Sequence, residues 1–545
     1  MDVRDFYKNL GFEPYDHQKE AFEKIYSLSE RGGAVIIKAP TASGKTEAAT
    51  APYFAGVCNG DYPFAKLIYV LPTRALANAQ RDRLEEMARK LGLRLKIVVD
   101  HGNVYDKPML NGDVVVCTLD TFIYGYASLR TFGYRLHYPT SSIASSLVVF
   151  DEVQMFQDQE YYTPRVIGRI FKYLYNSRVP FVVMTATLPE KLGKTLFDDN
   201  KIEMCEDNVI VCNKSKRGSV NAEWSANRIL LESLDSYVDE IANTRKVGII
   251  LNTVPRAQKT YELLKERLRE EKEIILLHSR MTAQDRERKE RKLQELSEFV
   301  VIATQVIEAG LDISLDLMLT ELAPADALIQ RIGRVARRKG ERGNAVVFDV
   351  GENFAPYPKE IIEQTRSIVN EVENCLNNLN ETQKIINFVY KNIEISQDNP
   401  LLIQTELYFD ELRLFSLPPE FELRVRPELY VTLFVPPLEF IDVIKKEAEK
   451  SWNEKTDVRN FNLRVKSNSF NVSVSWIRSK LDQNKELLLR GKNDNYYCLE
   501  ERFVKEKSAK IFGISSTRSI EPYRVYFLNP AYYDEELGLK VVEND

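Results

Sequence analysis

The sequence predicts an α/β fold with two tandem domains, each built on a parallel sheet, and a C-terminal accessory domain of mixed structure. The chain has 545 residues, which is too long for a single hydrophobic core. Short apolar runs bounded by turn residues alternate with longer amphipathic segments, as is typical of parallel α/β domains. This alternation occurs in two series and ends near residue 351. We therefore expect domains over residues 1–215, 216–350 and 351–545.

The first series supplies five apolar runs of strand length, with amphipathic segments such as Ala75–Leu91 between them. These predicted strands are Ala34–Lys38, Leu67–Leu71, Val114–Cys117, Leu147–Phe150 and Phe181–Thr185. The second series follows the polar stretch Cys212–Gly218, which we interpret as the interdomain linker. Its predicted strands are Val247–Leu251, Ile274–Leu277, Phe299–Ala303, Asp316–Thr320 and Ala345–Asp349.

The accessory region differs in character from the two series before it. A helical portion, Lys359–Lys391, leads into segments with alternating apolar residues, such as Phe421–Val425 and Phe470–Trp476. This region carries no motif that indicates a function.

Composition excludes several classes of protein. A net charge of −5 argues against a protein that coats nucleic acid through overall basicity, so any such contact must come from a local channel. No apolar run approaches 18 residues and no signal core opens the chain, so we expect a cytoplasmic protein without a membrane partner. The six cysteines form no CxxC pair, which argues against zinc ribbons and disulfide frameworks.

A phosphate-binding loop is predicted at Lys38–Thr46, where the first strand meets a helix. In such a loop, backbone N–H groups and a helix N-terminus face the phosphates, and Gly44 allows their close approach. Lys45 supplies positive charge to the β- and γ-phosphates of ATP, and the Thr46 hydroxyl binds Mg²⁺. Ala39 stands where a first glycine is usual, so ordinary turn chemistry remains an alternative for this loop taken alone. The candidate nucleotide-binding residues of the loop are Thr41, Ser43, Gly44, Lys45 and Thr46.

Two further parts of a nucleotide site lie in the first series. Asp151 follows a buried strand and is placed to hold Mg²⁺, and Glu152 is placed to position or deprotonate the attacking water. A solvated acidic turn is the alternative, which the phosphate-binding loop earlier in the chain disfavours. Gln18 is placed to hydrogen-bond adenine, although a helix start capped by Asp16 explains that segment almost as well.

The motifs APTASGKT, PTRALANAQ, DEVQ, TAT, ATQVIEAGLD and QRIGRVARR occur in this order within about residues 11–340. This series resembles that of superfamily 2 helicases. The resemblance implies two RecA-like domains that hydrolyse ATP at their interface and move along nucleic acid. It also implies that Thr185-Ala186-Thr187 links the state of the γ-phosphate to domain closure.

The last motif predicts a helix that begins at Gln330. Arg334 and Arg337 would lie one turn apart on one face of that helix. Facing a nucleotide bound by the first domain, they would neutralise charge on the γ-phosphate as arginine fingers, and Gln330 would reach the same site. A solvated basic helix is the alternative.

The resemblance also places nucleic-acid contacts on loops of both domains, where hydroxyls, amides and arginines suit phosphate oxygens. For each residue singly, a loop cap or turn explains the residue type at least as well. Gly310 and Asp312 would instead lie near the nucleotide. The candidate nucleic-acid contacts are Thr73, Arg74, Thr118, Asn252, Thr253, His278, Ser279 and Thr304, with Pro72 and Arg280 beside them.

Within the superfamily, the chain most resembles the CRISPR-associated helicase of type I interference systems. CTLDTFIYG resembles a TIDQ-like motif, the segment SLRTFGYRLHYPTSSIASS runs into a DEVH-like box, and the last motif reads ALIQRIGRVARR. The resemblance implies an ATP- and Mg²⁺-dependent enzyme that tracks single-stranded DNA rather than RNA and is recruited by a CRISPR effector complex. Gln154 replaces the histidine of DEVH, which bears on coupling more than on hydrolysis. A DNA-repair helicase of the same superfamily and a non-hydrolysing nucleic-acid clamp or scaffold remain alternatives.

Many members of that family carry an N-terminal HD nuclease, which binds metals through several histidines and aspartates. This chain has four histidines, and none follows His278. Only His17 precedes Lys45. We therefore expect no nuclease in this chain and a separate HD-nuclease subunit as its partner, although a nuclease built from carboxylates alone remains an alternative.

Overall fold

The computed structural model describes residues 2–540 apart from 41–42, 103–108, 130–137, 158–160, 205, 213–217, 269–271, 309–310, 372–377, 393–398, 411–425, 449–455, 458–464, 466, 491–494, 501–507, 510, 515 and 523. The candidate site residues Thr41 and Gly310 lie outside the described residues, as do most of the predicted linker and the predicted alternating segment Phe421–Val425.

The first domain is built on one parallel sheet. Its strands are β1 (Ala34–Lys38), β2 (Lys66–Leu71), β3 (Ile97–Asp100), β4 (Val114–Thr118), β5 (Ser146–Phe150), β6 (Phe181–Thr185) and β7 (Val209–Val211). They are arranged in the order β3-β4-β2-β5-β6-β1-β7. Its helices are α1 (Val3–Asn9), α2 (Asp16–Arg31), α3 (Lys45–Asn59), α4 (Arg74–Lys90), α5 (Leu119–Tyr126), α6 (Tyr138–Ala144), α7 (Tyr162–Asn176) and α8 (Glu190–Leu196). Strands β4, β5 and β6 are buried throughout, so they appear in the sequence as continuous apolar runs.

The second domain repeats this architecture. Its strands are β8 (Ser219–Ile229), β9 (Lys246–Ile250), β10 (Ile274–Leu277), β11 (Phe299–Ala303), β12 (Leu317–Glu321) and β13 (Arg342–Asp349). They form a parallel sheet in the order β10-β11-β9-β12-β13-β8. Its helices are α9 (Leu230–Ser233), α10 (Val238–Asn243), α11 (Val254–Leu268), α12 (Ala283–Glu295) and α13 (Ala325–Ile332).

The remainder of the chain forms helices and a mixed sheet. The helices are α14 (Lys359–Ile368), α15 (Leu379–Tyr390), α16 (Pro400–Asp410), α17 (Leu438–Ala448) and α18 (Val474–Gln483). The strands are β14 (Tyr430–Phe434), β15 (Thr456–Asp457), β16 (Ser469–Ser473), β17 (Tyr496–Glu500), β18 (Ser508–Ala509), β19 (Ile511–Ile514), β20 (Arg524–Phe527), β21 (Tyr533–Asp534) and β22 (Gly538–Leu539). The main sheet has the order β16-β14-β20-β17-β19, in which only the β14–β20 pairing is parallel.

Helices α14 to α16 pass from the second domain to the first. Arg366 of α14 donates a hydrogen bond of 2.7 Å to Asp349 at the end of β13. At the other end of this segment, Leu402, Tyr408 and Phe409 of α16 belong to the same buried cluster as strands β4 to β6. The core of the first domain is therefore completed by residues that follow the second domain in sequence.

The predicted fold class is confirmed, and each predicted strand is present with bounds that differ by a few residues at most. Strands β3, β7 and β8 were not predicted. Strands β3 and β7 are short, with four and three residues, and β8 is only partly buried and lacks a continuous apolar run. The prediction of one alternating segment over Phe470–Trp476 was partly wrong: β16 ends at Ser473, whose side chain caps α18. The domain boundaries stay predictions. Within the described part of the chain, no helix has the length and apolar character needed to span a bilayer.

Candidate functional site

The phosphate-binding loop joins β1 to α3 through a left-handed residue. Gly44 has φ 81° and ψ 30° and caps α3, which begins at Lys45. The positive φ favours glycine at this position, and a Cβ here would also displace the side-chain amide of Gln18. Ser43 donates a hydrogen bond of 2.7 Å to the Pro40 carbonyl. The N-terminus of α3 thus lies at the carboxyl edge of the sheet, as expected for an anion site.

Lys45 and Glu152 form an ion pair at this edge. Lys45 Nζ lies 3.3 Å from Glu152 Oε1, and the two side chains are 8% and 23% exposed. Burial alone would raise the pKa of Glu152, but the charge of Lys45 and hydrogen bonds from Gln154 and Lys45 outweigh it and lower that pKa. Glu152 is therefore held as a carboxylate, which is the state that a proton acceptor requires.

Asp151 lies beside this pair in a different environment. The Tyr69 hydroxyl donates to Asp151 Oδ2 at 2.7 Å, and the Glu152 N–H donates to Oδ1 at 2.9 Å. Burial, followed by the charge of Glu152, raises the pKa of Asp151 to about 6. The Tyr69 hydroxyl also hydrogen-bonds Thr46. One hydroxyl thus brings together the carboxylate and the hydroxyl expected to hold Mg²⁺, and hard oxygen donors of this kind fit that ion.

Gln154 connects the acidic motif to the end of β6. Its Nε2 donates to Glu152 Oε2 at 2.5 Å, and its Oε1 accepts from Thr185 Oγ1 at 2.6 Å. The Thr187 N–H donates to Thr185 Oγ1 at 3.0 Å. Because β5, β6 and β1 are neighbours in the sheet, their three following loops meet at one place. The sequence showed only that Gln154 replaces a histidine. It did not show that this side chain links Glu152 to Thr185.

Residues of the second domain face this group across a cleft. Its walls include Glu152, Met155 and Ala186 of the first domain, and Glu308, Gln330 and Arg334 of the second. The candidate residues Glu152, Gln330 and Arg334 are thus brought to one cavity.

The predicted helix over Arg334 and Arg337 was wrong. Helix α13 ends at Ile332, and Arg334 and Arg337 lie in the turn that follows. Val335 instead forms a parallel bridge to Leu315, which ends the helical path. The two arginines still converge, because both donate to the Leu311 carbonyl, at 2.9 and 3.4 Å.

Arg334 is a buried cation with unused hydrogen-bonding capacity. Burial, followed by the charge of Arg337, lowers the pKa of Arg334 to about 9, while Glu152 acts in the opposite direction. Its two terminal nitrogens donate to the Leu311 and Glu308 carbonyls. Its Nε is buried without a hydrogen-bond partner among the described residues. A buried guanidinium with a spare donor suits a planar or tetrahedral oxyanion such as a phosphate.

Asp312 and Gln18 are both paired within the protein. Asp312, whose side chain is 78% exposed, lies 3.3 Å from Arg337. Gln18 is fully buried: its Nε2 donates to the Gly44 carbonyl at 3.2 Å and its Oε1 accepts from the Tyr15 N–H at 2.9 Å. The adenine contact expected of Gln18 stays a prediction.

The candidate nucleic-acid residues differ in how far their side chains are exposed to solvent. Arg74 and Ser279 are exposed. Asn252 and His278 are buried, and their polar atoms are occupied inside the protein, so in this conformation neither side chain is available to nucleic acid. His278 Nε2 lies 2.8 Å from the Leu537 carbonyl, and burial lowers its pKa to about 3.

The four candidate threonines are committed to local contacts or buried. Thr73 caps α4 by accepting from the Leu76 N–H, and Thr253 accepts from Arg256 Nε. Thr118 donates to Thr121, and Thr304 is 2% exposed. Nucleic-acid contact by these residues stays a prediction.

Arg331 connects several loops of the second domain, a role that the sequence did not reveal. It is completely buried and donates to Glu308 Oε1 at 2.8 Å, Asn252 Oδ1 at 3.0 Å and Tyr357 OH at 3.1 Å. It therefore holds the loops after β9, β11 and β13 together behind the cleft. The one sequence feature that could have indicated this role is the position of Arg331 in the same motif as Arg334.

Two protein families match segments of the chain. Residues 15–195 match the DEAD/DEAH box helicase family, and residues 243–340 match the C-terminal region of the CRISPR-associated nuclease/helicase Cas3. The CRISPR-associated helicase Cas3 of Thermoproteus tenax is 34% identical over 440 residues, which cover 76% of this chain and 74% of that protein. The chain belongs to the CRISPR-associated Cas3 helicase family. Membership confirms the predicted superfamily 2 resemblance, and a Cas3-family chain with these motifs is an ATP-dependent helicase.

Solved Cas3 structures share the fold of this chain. The crystal structure of T. fusca Cas3 aligns with a TM-score of 0.62 at 20% identity, covering 86% of this chain and 65% of that one. A chain of a CRISPR RNA-guided surveillance complex in a pre-nicking state aligns with a TM-score of 0.54 at 19% identity, covering 86% of this chain and 64% of that one. The chain thus spans just under two thirds of both solved chains.

Proposed function

We propose that this Cas3-family helicase is an ATP- and Mg²⁺-driven translocase on single-stranded DNA that serves type I CRISPR interference. The observation that carries the proposal is the pairing of Lys45 with Glu152 opposite Arg334 across the interdomain cleft. A carboxylate, a loop lysine and a buried arginine from a second domain are the parts that phosphoryl transfer to water requires.

Each residue has a defined task in this proposal. The γ-phosphate of ATP would take the place of Glu152 beside Lys45, leaving that carboxylate free to orient and deprotonate the attacking water. The spare Nε of Arg334 would meet the charge that develops on the phosphoryl oxygens, with Arg337 and Gln330 at the same edge. Bound Mg²⁺ would neutralise charge between the β- and γ-phosphates, and Thr46 and Asp151 would hold it.

The DNA and CRISPR assignments rest on the family. The T. tenax relative is a CRISPR-associated helicase, and one structural neighbour belongs to an RNA-guided surveillance complex. The partners proposed for this chain are accordingly single-stranded DNA and a CRISPR effector complex. Exposed Arg74 and Ser279 are the candidate contacts best placed to meet DNA phosphates in this conformation.

The decisive experiment is an ATPase assay with and without single-stranded DNA, on the wild type and Lys45→Ala. We expect DNA to stimulate the wild type and Lys45→Ala to lose hydrolysis while keeping its fold. Turnover without any response to nucleic acid would exclude the motor, and absence of hydrolysis would leave a clamp or scaffold. Pull-down with effector subunits separates an interference helicase from a repair helicase.

We further propose that cleavage of DNA is supplied by a separate HD-nuclease subunit. Histidine is scarce in this chain, and His278 is enclosed behind Leu537, where it has no access to a metal from solvent. Purified protein incubated with ATP, Mg²⁺ or Mn²⁺ and DNA should leave the strands intact. Degradation that persists in Lys45→Ala would show an intrinsic nuclease and overturn this part of the proposal.

A further inference from the structure

Helix α15 contacts both motor domains. Its apolar side packs on the second domain and α14, in a buried cluster made of Ala325, Ile361, Ile385, Ile386, Val389 and Tyr390. Its polar side faces the first domain, where Gln383 and Asn387 meet the backbone that enters α8. Any change in the width of the cleft must therefore alter one of these two contacts.

The polar contact is specific for the backbone just after Thr187. The Leu188 N–H donates to Gln383 Oε1 at 3.2 Å, and Gln383 Nε2 donates back to the Leu188 carbonyl at 2.5 Å. The Glu190 N–H donates to Asn387 Oδ1 at 2.8 Å, and Gln383 Nε2 also reaches that oxygen at 2.9 Å. The two amides thus bind both the donors and the acceptor of this short segment.

This segment is joined to the reaction site by consecutive hydrogen bonds. Glu152 is bound by Gln154, Gln154 by Thr185, and the N–H of Thr187 by the Thr185 hydroxyl. Leu188 comes next and is held by Gln383. The far end of α15 completes the path, because the Tyr390 hydroxyl donates to Asp326 at 2.6 Å in the first turn of α13. Gln330 lies near the end of α13, and Arg334 follows that helix.

We propose that Gln383 and Asn387 are positioning residues that transmit the state of the nucleotide from the first domain to α13 through helix α15. The inference rests on the proposed DNA-stimulated ATPase. The apolar side of α15 is held in its buried cluster with the second domain and α14, whereas hydrogen bonds to backbone groups exchange with water at little net cost. Helix α15 therefore moves with the second domain, and its contact with Leu188 and Glu190 is the one that forms and breaks during the cycle.

The test compares Gln383→Leu and Asn387→Leu with Lys384→Ala in the full chain. Leucine preserves bulk but removes both hydrogen-bonding groups, and Lys384 is a matched control on the same helix with a side chain 72% exposed. Gln383→Glu separates the two halves of the contact, because it keeps the acceptor for the Leu188 N–H and loses the donor to the Leu188 carbonyl and to Asn387 Oδ1. Thermal melting and circular dichroism establish that each variant is folded.

We expect the Gln383 and Asn387 variants to keep the KM for ATP and the turnover measured without DNA. Their stimulation by single-stranded DNA should fall by about 2- to 10-fold, the factor that one ordinary hydrogen bond represents. Wild-type stimulation in every folded variant would overturn the inference, and so would an equal loss of turnover with and without DNA, which indicates a structural role alone. If the wild type itself does not respond to DNA, the proposed function and this inference both fail.

Discussion

Gln154 hydrogen-bonds Glu152 with its amide nitrogen and Thr185 with its amide oxygen, at 2.5 and 2.6 Å. A glutamine can do both at once because its two ends differ: one donates and the other accepts. The carboxylate next to the proposed γ-phosphate site is therefore connected to the next strand of the sheet through a single side chain.

Replacing Gln154 by leucine should break the connection between Glu152 and Thr185. Loss of a hydrogen bond to a charged group costs about 1.5–3 kcal/mol, so DNA-stimulated kcat should fall by roughly 10- to 100-fold, with a smaller change in KM for ATP. Gln157→Leu is the matched control, since Gln157 lies in the same turn and does not touch Glu152. Equal kinetics for the two variants would contradict the bridge.

Glu152→Gln should bind ATP and DNA yet hydrolyse slowly. The substitution removes the proton acceptor while sparing the phosphate-binding loop. Nucleotide affinity measured by fluorescence titration should stay near that of the wild type, and single-turnover hydrolysis should be strongly reduced. Glu203→Gln, at an exposed site outside the cleft, controls for the loss of one negative charge. Unchanged hydrolysis in Glu152→Gln would assign the base to another residue.

Arg334→Ala and Arg337→Ala should lower turnover more than ATP affinity. Arginine fingers in related enzymes contribute about 10³–10⁵ in rate. The larger effect is expected for Arg334, because its buried Nε has no hydrogen-bond partner in the part of the chain that the structure describes, whereas Arg337 is paired with Asp312. The exposed Arg338 provides an adjacent control, Arg338→Ala. A defect confined to KM would indicate ordinary ground-state binding instead.

His278 should make the protein less stable in mild acid. Its pKa is lowered to about 3 in the folded chain by burial, whereas an unfolded histidine has a pKa of about 6.5. Between these values the unfolded chain binds more protons, so stability rises with pH and is lost as the pH falls below about 6.5. The expected slope is about 1.4 kcal/mol per pH unit in that window.

The measurement for His278 is the melting temperature as a function of pH. His278→Gln should melt at a lower temperature than the wild type at pH 7, because its contact with the Leu537 carbonyl is altered. The difference between the two melting temperatures should become smaller from pH 7 to pH 5, because only the wild type loses stability through protonation of His278. A constant gap across that range would show that His278 does not titrate on unfolding.

Affinity for single-stranded DNA should fall steeply with salt despite the net charge of −5. Phosphate contacts release counterions, so log K should decrease linearly with log salt, by about 0.7 for each phosphate neutralised on a single strand. Arg74→Ala should reduce that slope by about one contact. A flat dependence would contradict a phosphate-lined channel.

The sequence predicted the placement of the candidate nucleotide-site residues better than the exposure of the candidate nucleic-acid residues. Asp151 and Glu152 directly follow the fully buried strand β5, and Lys45 begins the helix after β1, so parallel-sheet topology brings all three to one edge. Arg334 lines the facing wall of the cleft, but neither Arg334 nor Arg337 lies in the predicted helix. The bridge between Leu315 and Val335 that ends the helical path is a long-range contact, which local periodicity does not reveal.

Asn252 and His278 show why the remaining contacts were harder to predict. Both residues follow strands at the carboxyl edge of the second sheet, where the motif predicts side chains that contact nucleic acid. Arg331 hydrogen-bonds the side chain of Asn252. His278 contacts the carbonyl of Leu537, which lies 259 residues further along the chain. Whether a polar side chain faces solvent or a distant part of its own chain depends on tertiary packing, which a motif does not encode.

The position of α16 has a practical consequence for anyone shortening this protein. A truncation after residue 350 would retain every recognised motif and both parallel sheets, yet it would remove Leu402, Tyr408 and Phe409 from the first domain. Removing them would expose apolar surface that they cover, such as the rings of Tyr126 and Tyr173 that pack against Phe409, and recombinant protein with such an exposed patch is prone to aggregate. A minimal motor suited to expression should therefore extend through Asp410, even though the last motif ends some seventy residues earlier.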